Sequence, residues 1–346
     1  YKGKFDEGWD VYREKVIANQ RKLGLIPANA KLPERNPLVK PWSALTPDQK
    51  KVYARFMEAY AGYLEYTDHE VGRVVNYLKE SKQLDNTLIF VVIGDNGASK
   101  EGQENGTITL RSSSGQQEDI PYLLANIDKI GTPEVSPNYP IGWAQATNTP
   151  FKHWKQDANS EGGTRNPLIV YYPKGIKDKG GIRNQYGHVI DLLPTTTEFI
   201  GVKQPEYIRG IKQDTIQGKS LVYSFDNATA PSKHKIQHYY IFGSRSIYAD
   251  GWKAGALHPN AKYNKSVPAH NPDPNRLDKD VWELYNLNAD FNETTDLAKK
   301  YPEKLKELKA LFDQQAEKYN LYPLLDWQDV YDRHPQVPEK LQNLNK

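Results

Sequence analysis

The chain has 346 residues, of which 38% are hydrophobic and 26% are charged, with no cysteine and a formal net charge of +3. This composition is typical of a globular protein, and the absence of cysteine excludes disulfides, thiolate metal sites and a cysteine nucleophile in this chain. The near balance of interleaved charges argues against nucleic acid as a partner, and no apolar stretch is long enough for a transmembrane helix, so we expect no membrane partner either.

A long helix over residues 47–81 is the first predicted element. The stretch "WSALTPDQKK" supplies Thr46 as the N-cap, Pro47 as the first helical residue and Gln49 as the reciprocal partner of a capping box. Within this helix Asp68 and His69 point about 100° apart, so we predict outer contacts rather than a catalytic pair. Apolar residues recur at helical spacing and predict one buried face: Val52, Phe56, Ala59, Tyr60, Tyr63, Val71, Val74, Val75 and Leu78.

Two strands are predicted at "LIFVVIG" (88–94) and "PLIVYY" (167–172). Because both are apolar on both faces, we expect them inside a sheet that helices cover on both sides. The segment from residue 100 to about 140 has little periodicity, and loops of this length are usually functional or mobile. The stretch "HVIDLLPTTTEFIGV" then predicts a helix closed by Gly201, with His188 as a capping or packing residue. This alternation of helices and strands indicates an α/β protein.

The pattern changes near Asp226. The stretch "HYYIFGSRSIYADGWKAG" predicts short strands around turns at Gly243 and at 250–251, and "DVWELYNL" predicts one more strand. A helix with one apolar side begins at Pro302. We therefore predict that residues 1–225 belong to an α/β domain and that residues 226–346 form a smaller C-terminal α+β subdomain with short antiparallel strands and a packed helix.

The first candidate site is Asp95-Asn96-Gly97, directly after the first predicted strand. In open α/β sheets, ligands bind beyond the carboxyl ends of strands. A carboxylate beside an amide oxygen suits a hard cation such as calcium, which takes six to eight oxygen ligands. The alternative is a plain turn, since Asp-Asn and Asn-Gly are strong turn signals. Both interpretations stay open on spacing alone, and two ligands do not complete a calcium site.

The second candidate site is the stretch "NTPFKHWKQDANSEGGTRNP", just before the second predicted strand. Lys152, His153 and Lys155 cluster around Trp154, and a lysine here could act as a point charge against a tetrahedral oxyanion such as sulfate or phosphate. The glycine pair 162–163 would allow a sharp turn before Arg165. The alternative is a solvated basic loop.

Five ordered blocks of the sequence resemble arylsulfatase-type sulfatases of the alkaline-phosphatase-like superfamily. They are "GDNGAS", "GWAQATNTPFKHWK…GGTRNPLIVYYPKGI", "HVIDLLPT", "GSRSIYADGWKA" and "WELYNL". The resemblance implies a central mixed sheet flanked by helices, Asp95 and Asn96 as calcium ligands, and Lys155 as a contact to a sulfate oxygen. By the same resemblance Arg165 would be a structural ion partner, whereas Lys152 and His153 match no catalytic position.

One part of the family pattern is missing from this sequence. Such sulfatases use a formylglycine made from the first residue of a Cys/Ser-x-Pro-x-Arg motif, and no such motif occurs here. We therefore expect a C-terminal portion of a sulfatase, inactive alone and without a catalytic residue of its own. Its expected partners are a missing N-terminal segment of the same enzyme, which would carry the formylglycine, and a small-molecule or glycan sulfate ester.

Two alternative functions remain at this stage. One is a phosphodiesterase or phosphonate hydrolase of the same superfamily, and the other is a non-catalytic relative that binds sulfated glycans. A Cys/Ser-x-Pro-x-Arg motif upstream of Tyr1 would favour the hydrolase over the binding protein. The resemblance favours a periplasmic or secreted location, although the sequence itself does not determine the compartment.

Overall fold

The computed structural model describes residues 1–109, 118–259, 271, 273 and 275–333. No helix in these ranges is long and apolar enough to cross a membrane. The helices are α1 (Gly8–Lys22), α2 (Pro47–Glu80), α3 (Ile120–Ala125), α4 (Ile141–Thr147), α5 (Glu161–Thr164), α6 (Leu192–Phe199), α7 (Pro302–Lys318) and α8 (Trp327–Arg333). The strands are β1 (Ile89–Val92), β2 (Leu168–Tyr171), β3 (Tyr207–Ile208), β4 (Ile211–Lys212), β5 (Ile236–Ile241), β6 (Ser244–Ala249), β7 (Trp252–Ala256) and β8 (Trp282–Asn286).

The start of α2 confirms the predicted capping box. The Thr46 hydroxyl accepts a hydrogen bond from the Gln49 backbone N–H at 3.2 Å, and the Gln49 side chain accepts from the Thr46 N–H at 2.9 Å. The first half of the helix is buried in a core rich in aromatic side chains, where Trp143 lies edge-on to Trp9 and Trp42. These contacts fix α1, α2 and α4 relative to one another.

The second half of α2 differs from the prediction that one face of the helix is buried along its length, with an interruption around residues 65–68. Tyr63, Tyr66, Val74 and Tyr77 are between 61% and 68% exposed. These residues lie on one side of the helix, so the predicted apolar face exists, although it is exposed. The face is exposed because the aromatic core ends near Ala61, and the helix continues beyond it. Asp68 and His69 are exposed on the same half of the helix, in agreement with their predicted outer position.

The strands β1 and β2 form a two-stranded antiparallel sheet in which Ile89 faces Tyr171 and Val92 faces Leu168. The prediction that both lie in a sheet interior is wrong for the described residues. Val92, Leu168 and Ile169 are 39–52% exposed. The physical reason is that the two strands pair with each other in a sheet of only two strands, which leaves their apolar side chains partly uncovered.

The segment between residues 100 and 140 is more ordered than the sequence predicts. Residues 110–117 lie outside the described part of the chain. After them, Asp119 caps α3 by accepting a hydrogen bond from the Tyr122 N–H at 2.8 Å. Leu123 and Ile130 are fully buried in the aromatic core. This short helix was missed because its apolar residues span little more than one turn, which is too short for a periodic pattern.

The predicted helix after residue 188 is confirmed, as is the capping role of His188. The His188 Nδ1 accepts from the Ile190 N–H at 3.4 Å, while the Asp191 carboxylate accepts from the His188 N–H at 2.8 Å. A short 3-10 turn over Val189–Asp191 leads into α6. The helix is followed by Gly201, whose φ of +69° places it in the left-handed region that favours glycine.

The C-terminal part contains a four-stranded antiparallel sheet in the order β5-β6-β7-β8. Helix α7 packs on it through Leu308, Phe312 and Ala316, which meet Ile247 and Leu284 in a second core. The predicted strands and helix are confirmed here. The α/β class with a smaller C-terminal α+β unit is also confirmed, while the boundary between residues 225 and 226 stays a prediction.

Candidate functional site

Asp95 and Asn96 lie in a turn directly beyond β1. The Asn96 Nδ2 donates to the Asp95 Oδ1 at 2.6 Å, so the two side chains meet at their polar ends. The Asn166 amide, oriented to satisfy both partners, binds the Asn96 backbone N–H at 3.2 Å and carbonyl at 2.9 Å. Asp95 is exposed and Asn96 is half-buried. The predicted turn is therefore present, and it presents two neighbouring side chains with oxygen atoms.

Close backbone approach explains the glycines of both candidate stretches. A Cβ on Gly97 would lie 1.8 Å from the Gly162 carbonyl oxygen, and a Cβ on Gly162 would lie 2.1 Å from the His153 carbonyl oxygen. Neither glycine has a positive φ. The sharp turn predicted at 162–163 is instead part of the short helix α5, where glycine is required by contact distance rather than by backbone angle.

Lys155 is brought to this turn through its backbone. The Lys155 N–H donates to the Ala98 carbonyl at 3.1 Å. Its ammonium pairs with the Glu101 carboxylate at 3.2 Å, and both side chains are about one-third exposed. The structure thus places the three predicted site residues on two segments in direct contact. No local pattern identified Glu101 as the partner of Lys155, because 54 positions separate the two residues in the chain.

The remaining residues of the basic cluster bind carboxylates. Lys152 lies 3.2 Å from the Glu283 carboxylate, and the His153 Nδ1 lies 3.0 Å from the Asp157 Oδ2. Trp154, which follows His153 in the sequence, is fully buried. The interpretation of this stretch as a solvated loop is therefore wrong, because its side chains are used for packing and ion pairing.

Arg165 pairs with the Glu161 carboxylate at 3.2 Å and lies over the Phe291 ring. This geometry agrees with the structural ion-pairing role that the resemblance implies. Arg165 precedes β2 in the chain, and its guanidinium binds Glu161 of α5 rather than Asp95.

A buried ion pair behind the site was missed by sequence reasoning. The Lys100 ammonium binds the Asp157 carboxylate, and their side chains are only 7% and 6% exposed. Burial alone would raise the pKa of Asp157, but the Lys100 charge and the contact with His153 hold this pKa below its usual value. The pair joins the segment after Asn96 to the segment after Lys155. Since 57 residues separate the partners, no local pattern could have identified them.

A second buried cation holds α5 against the C-terminal sheet. The Lys253 ammonium is fully buried and lies 2.8 Å from the Glu161 carboxylate and 3.6 Å from that of Glu293. Burial would raise the pKa of Glu161, but the charges of Lys253 and Arg165 hold it below its usual value. The site loops are therefore tied to strand β7 by charge as well as by packing.

The donor chemistry at the turn fits calcium only in part. A carboxylate and an amide oxygen on adjacent residues are ligands that this cation prefers, but it takes six to eight of them. Among the described residues, no group of three or more His, Cys, Asp or Glu side chains is placed to hold a metal ion. Asp95 and Asn96 could thus supply a portion of a calcium shell, and the other oxygens would have to come from elsewhere.

Comparison with known proteins shows which family the sequence matches. The sulfatase family model matches residues 3–202. An uncharacterized sulfatase of Schizosaccharomyces pombe is 32% identical over 311 residues, which cover 89% of this chain and 52% of that protein. An arylsulfatase of Klebsiella aerogenes is 30% identical over 203 residues, covering 58% of this chain and 41% of that protein.

A solved structure of a protein in complex with its substrate D-glucosamine-2-N,6-O-disulfate is 22% identical, with a TM-score of 0.43, and the match covers 74% of this chain and 39% of that one. The chain spans about half the length of the two curated relatives, 52% and 41%. Because the family pattern extends over more than half of its residues, the chain belongs to the sulfatase family.

Proposed function

We propose that this chain is part of a sulfuric ester hydrolase in which Asp95 and Asn96 hold calcium and Lys155 contacts the sulfate group. The main support is the backbone hydrogen bond from the Lys155 N–H to the Ala98 carbonyl, which fixes the lysine segment against the turn. The names of the similar relatives favour the same activity, since one of them is an arylsulfatase.

Each residue has a definable task in this proposal. The Asp95 carboxylate brings negative charge to the cation, and the Asn96 amide orients that carboxylate through its hydrogen bond of 2.6 Å. The Lys155 ammonium donates hydrogen bonds to a sulfate oxygen, which takes the place of the Glu101 carboxylate. Calcium, when bound, supplies fixed positive charge against the sulfate oxygens. Charges held in place before the reaction stabilise the transition state without reorganisation.

We further propose that the nucleophile, a formylglycine, and the remaining calcium ligands lie on a polypeptide segment outside this chain. The sequence has no cysteine and no Ser-x-Pro-x-Arg motif. The apolar side chains exposed on β1, β2 and the second half of α2 offer a surface that such a segment would cover. The proposed substrates are sulfate esters of small molecules or glycans.

Calcium binding tests the metal assignment on this chain. We expect calcium to raise the thermal midpoint of the wild-type chain once it is joined to the segment that carries the remaining ligands, and a chelator to reverse the effect, because a ligand that binds only the folded state stabilises it. The variant Asp95→Ala should lose the response. The control Asp85→Ala removes an exposed carboxylate before β1 and should keep it. An equal response of the wild type and Asp95→Ala would remove Asp95 from the site.

Turnover of an aryl sulfate tests the role of Lys155 once the chain is joined to the segment that carries the nucleophile. We expect Lys155→Ala to lower turnover and leave the thermal midpoint nearly unchanged, because its ion pair with Glu101 is partly exposed. The exposed Lys51, changed to alanine, is the matched control. Wild-type rates in Lys155→Ala would contradict the assignment. Cleavage of phosphate diesters alone, or binding of sulfated glycan without turnover, would favour the two alternative functions.

A further inference from the structure

The side chain of Asn148 connects the two segments that carry the proposed site. Its Oδ1 accepts from the Ala98 backbone N–H at 3.1 Å, two residues beyond Asn96. Its Nδ2 donates to the carbonyl oxygens of His153 and Gly162 at 2.6 Å and 2.7 Å. These carbonyls lie on either side of Lys155 in the sequence. One amide therefore uses its oxygen on the turn and both its N–H groups on the lysine segment.

The position of Asn148 is itself fixed by the core. This residue is the C-cap of α4, and every residue of that helix from Ile141 to Ala146 is buried. Trp143 in the same helix donates from its ring nitrogen to the Tyr53 carbonyl at 2.8 Å. The Asn148 amide thus extends from a rigid helix end toward the two segments and adds to the backbone bonds and the buried Lys100–Asp157 pair that also join them.

We propose that Asn148 is a positioning residue that sets the Asp95–Asn96 turn relative to Lys155 without touching metal or sulfate. The inference rests on the proposed function of those residues. Asparagine is required because one group must accept from an N–H and donate to two carbonyls. An aspartate would place an oxygen against both carbonyl oxygens, and an alanine would make none of the three bonds. Since productive sites need their groups held within a fraction of an ångström, loss of the Asn148 hydrogen bonds should weaken the affinity for calcium.

The matched control lies three residues earlier in the same helix. The Gln145 side chain is fully buried, accepts from the Asn36 N–H at 3.2 Å and donates to the Glu34 carbonyl at 3.3 Å. Its partners belong to the segment before α2, away from the two site segments. Gln145→Ala therefore removes an amide that is more deeply buried than that of the half-buried Asn148, without releasing the turn.

The experiment combines hydrogen exchange of backbone amides with calcium titration of the chain joined to the segment that carries the remaining calcium ligands. We expect Asn148→Ala to speed exchange over residues 94–101 and 152–163 and to weaken calcium binding about 10- to 100-fold, the usual effect of losing a residue that orients a metal ligand. Gln145→Ala should lower the thermal midpoint and change neither quantity. Asn148→Asp, which places a carboxylate oxygen against the carbonyl oxygens of His153 and Gly162, should speed exchange at least as much as Asn148→Ala.

The outcomes separate this inference from the proposed function. If Asn148→Ala matches Gln145→Ala in exchange over 94–101, the positioning role is overturned, whatever calcium does. If the wild type binds calcium and Asn148→Ala binds it equally well, the inference fails and the calcium assignment stands. If the wild type binds no calcium while Asn148→Ala still speeds exchange over 94–101, the calcium assignment fails and the positioning of the turn is supported.

Discussion

The substitution Gly97→Ala tests whether close backbone contact holds the site together. A Cβ on Gly97 would lie 1.8 Å from the Gly162 carbonyl oxygen, and real Cβ atoms essentially never lie closer than 3.0 Å to such an atom. The two segments must therefore separate by about an ångström. This movement stretches the bonds from the Gly97 N–H to the Gly163 carbonyl, now 3.3 Å, and from the Lys155 N–H to the Ala98 carbonyl, now 3.1 Å.

The expected loss of stability follows from these two effects. Overpacking in a rigid site costs about 1–3 kcal/mol, and each weakened hydrogen bond adds up to about 1 kcal/mol, so we expect Gly97→Ala to lower the free energy of unfolding by about 2–4 kcal/mol. The same change at Gly62, in the exposed middle of α2 with no atom within 4 Å of the added Cβ, should raise it by about 0.5–1 kcal/mol through reduced backbone entropy of the unfolded chain.

Urea unfolding of both variants measures these free energies, with the dependence on denaturant concentration as a check that the unfolded surface is unchanged. Opposite signs at the two glycines would support the contact-distance argument. A Gly97→Ala variant within about 0.5 kcal/mol of the wild type would refute it, because ordinary surface substitutions fall in that range.

Two further predictions concern the buried charges. Because the pKa of Asp157 is lowered in the folded state, its stabilising contribution is present above about pH 4 and is lost as the pH falls through the folded-state pKa. The urea midpoint should therefore decline less steeply between pH 7 and pH 3 in Asp157→Asn than in the wild type. Parallel curves for the two proteins would contradict this. Lys253→Met leaves the carboxylates of Glu161 and Glu293 without their buried cation and should cost about 3–5 kcal/mol in urea unfolding. Adding Glu161→Gln to that variant should recover part of the loss, and no recovery would show that packing rather than charge is responsible.

Local sequence patterns predicted many of the helices and strands. The capping box at Thr46 and Gln49 fixed the start of α2, since an N-cap acts over only a few residues. The same holds for His188 at its 3-10 turn and for Gly201 at the end of α6. The antiparallel strands after residue 235 followed from alternation and turn residues. Each of these features depends on residues close together in the chain.

Burial of the strands and the charge partners at the site could not be predicted in this way. The run "LIFVV" is apolar on both faces whether or not a larger sheet surrounds it, so its sequence alone could not show that β1 pairs only with β2 in the described structure. The short helix α3 was equally hidden, because its burial comes from contacts with α2 and not from a pattern of its own.

The sequence by itself, through its resemblance to sulfatases, determined the candidates Asp95 and Asn96 for a cation and Lys155 for a sulfate oxygen, because the type of each side chain and the order of the motifs are read directly from it. Only the tertiary structure decided that the turn and the lysine segment touch, that Asn148 links them, and that buried lysines lie behind them. Lys253 and Glu161 are 92 residues apart. The physical reason is that an ion pair or a backbone contact over such a separation exists only when the whole chain has folded to bring the partners within about 4 Å.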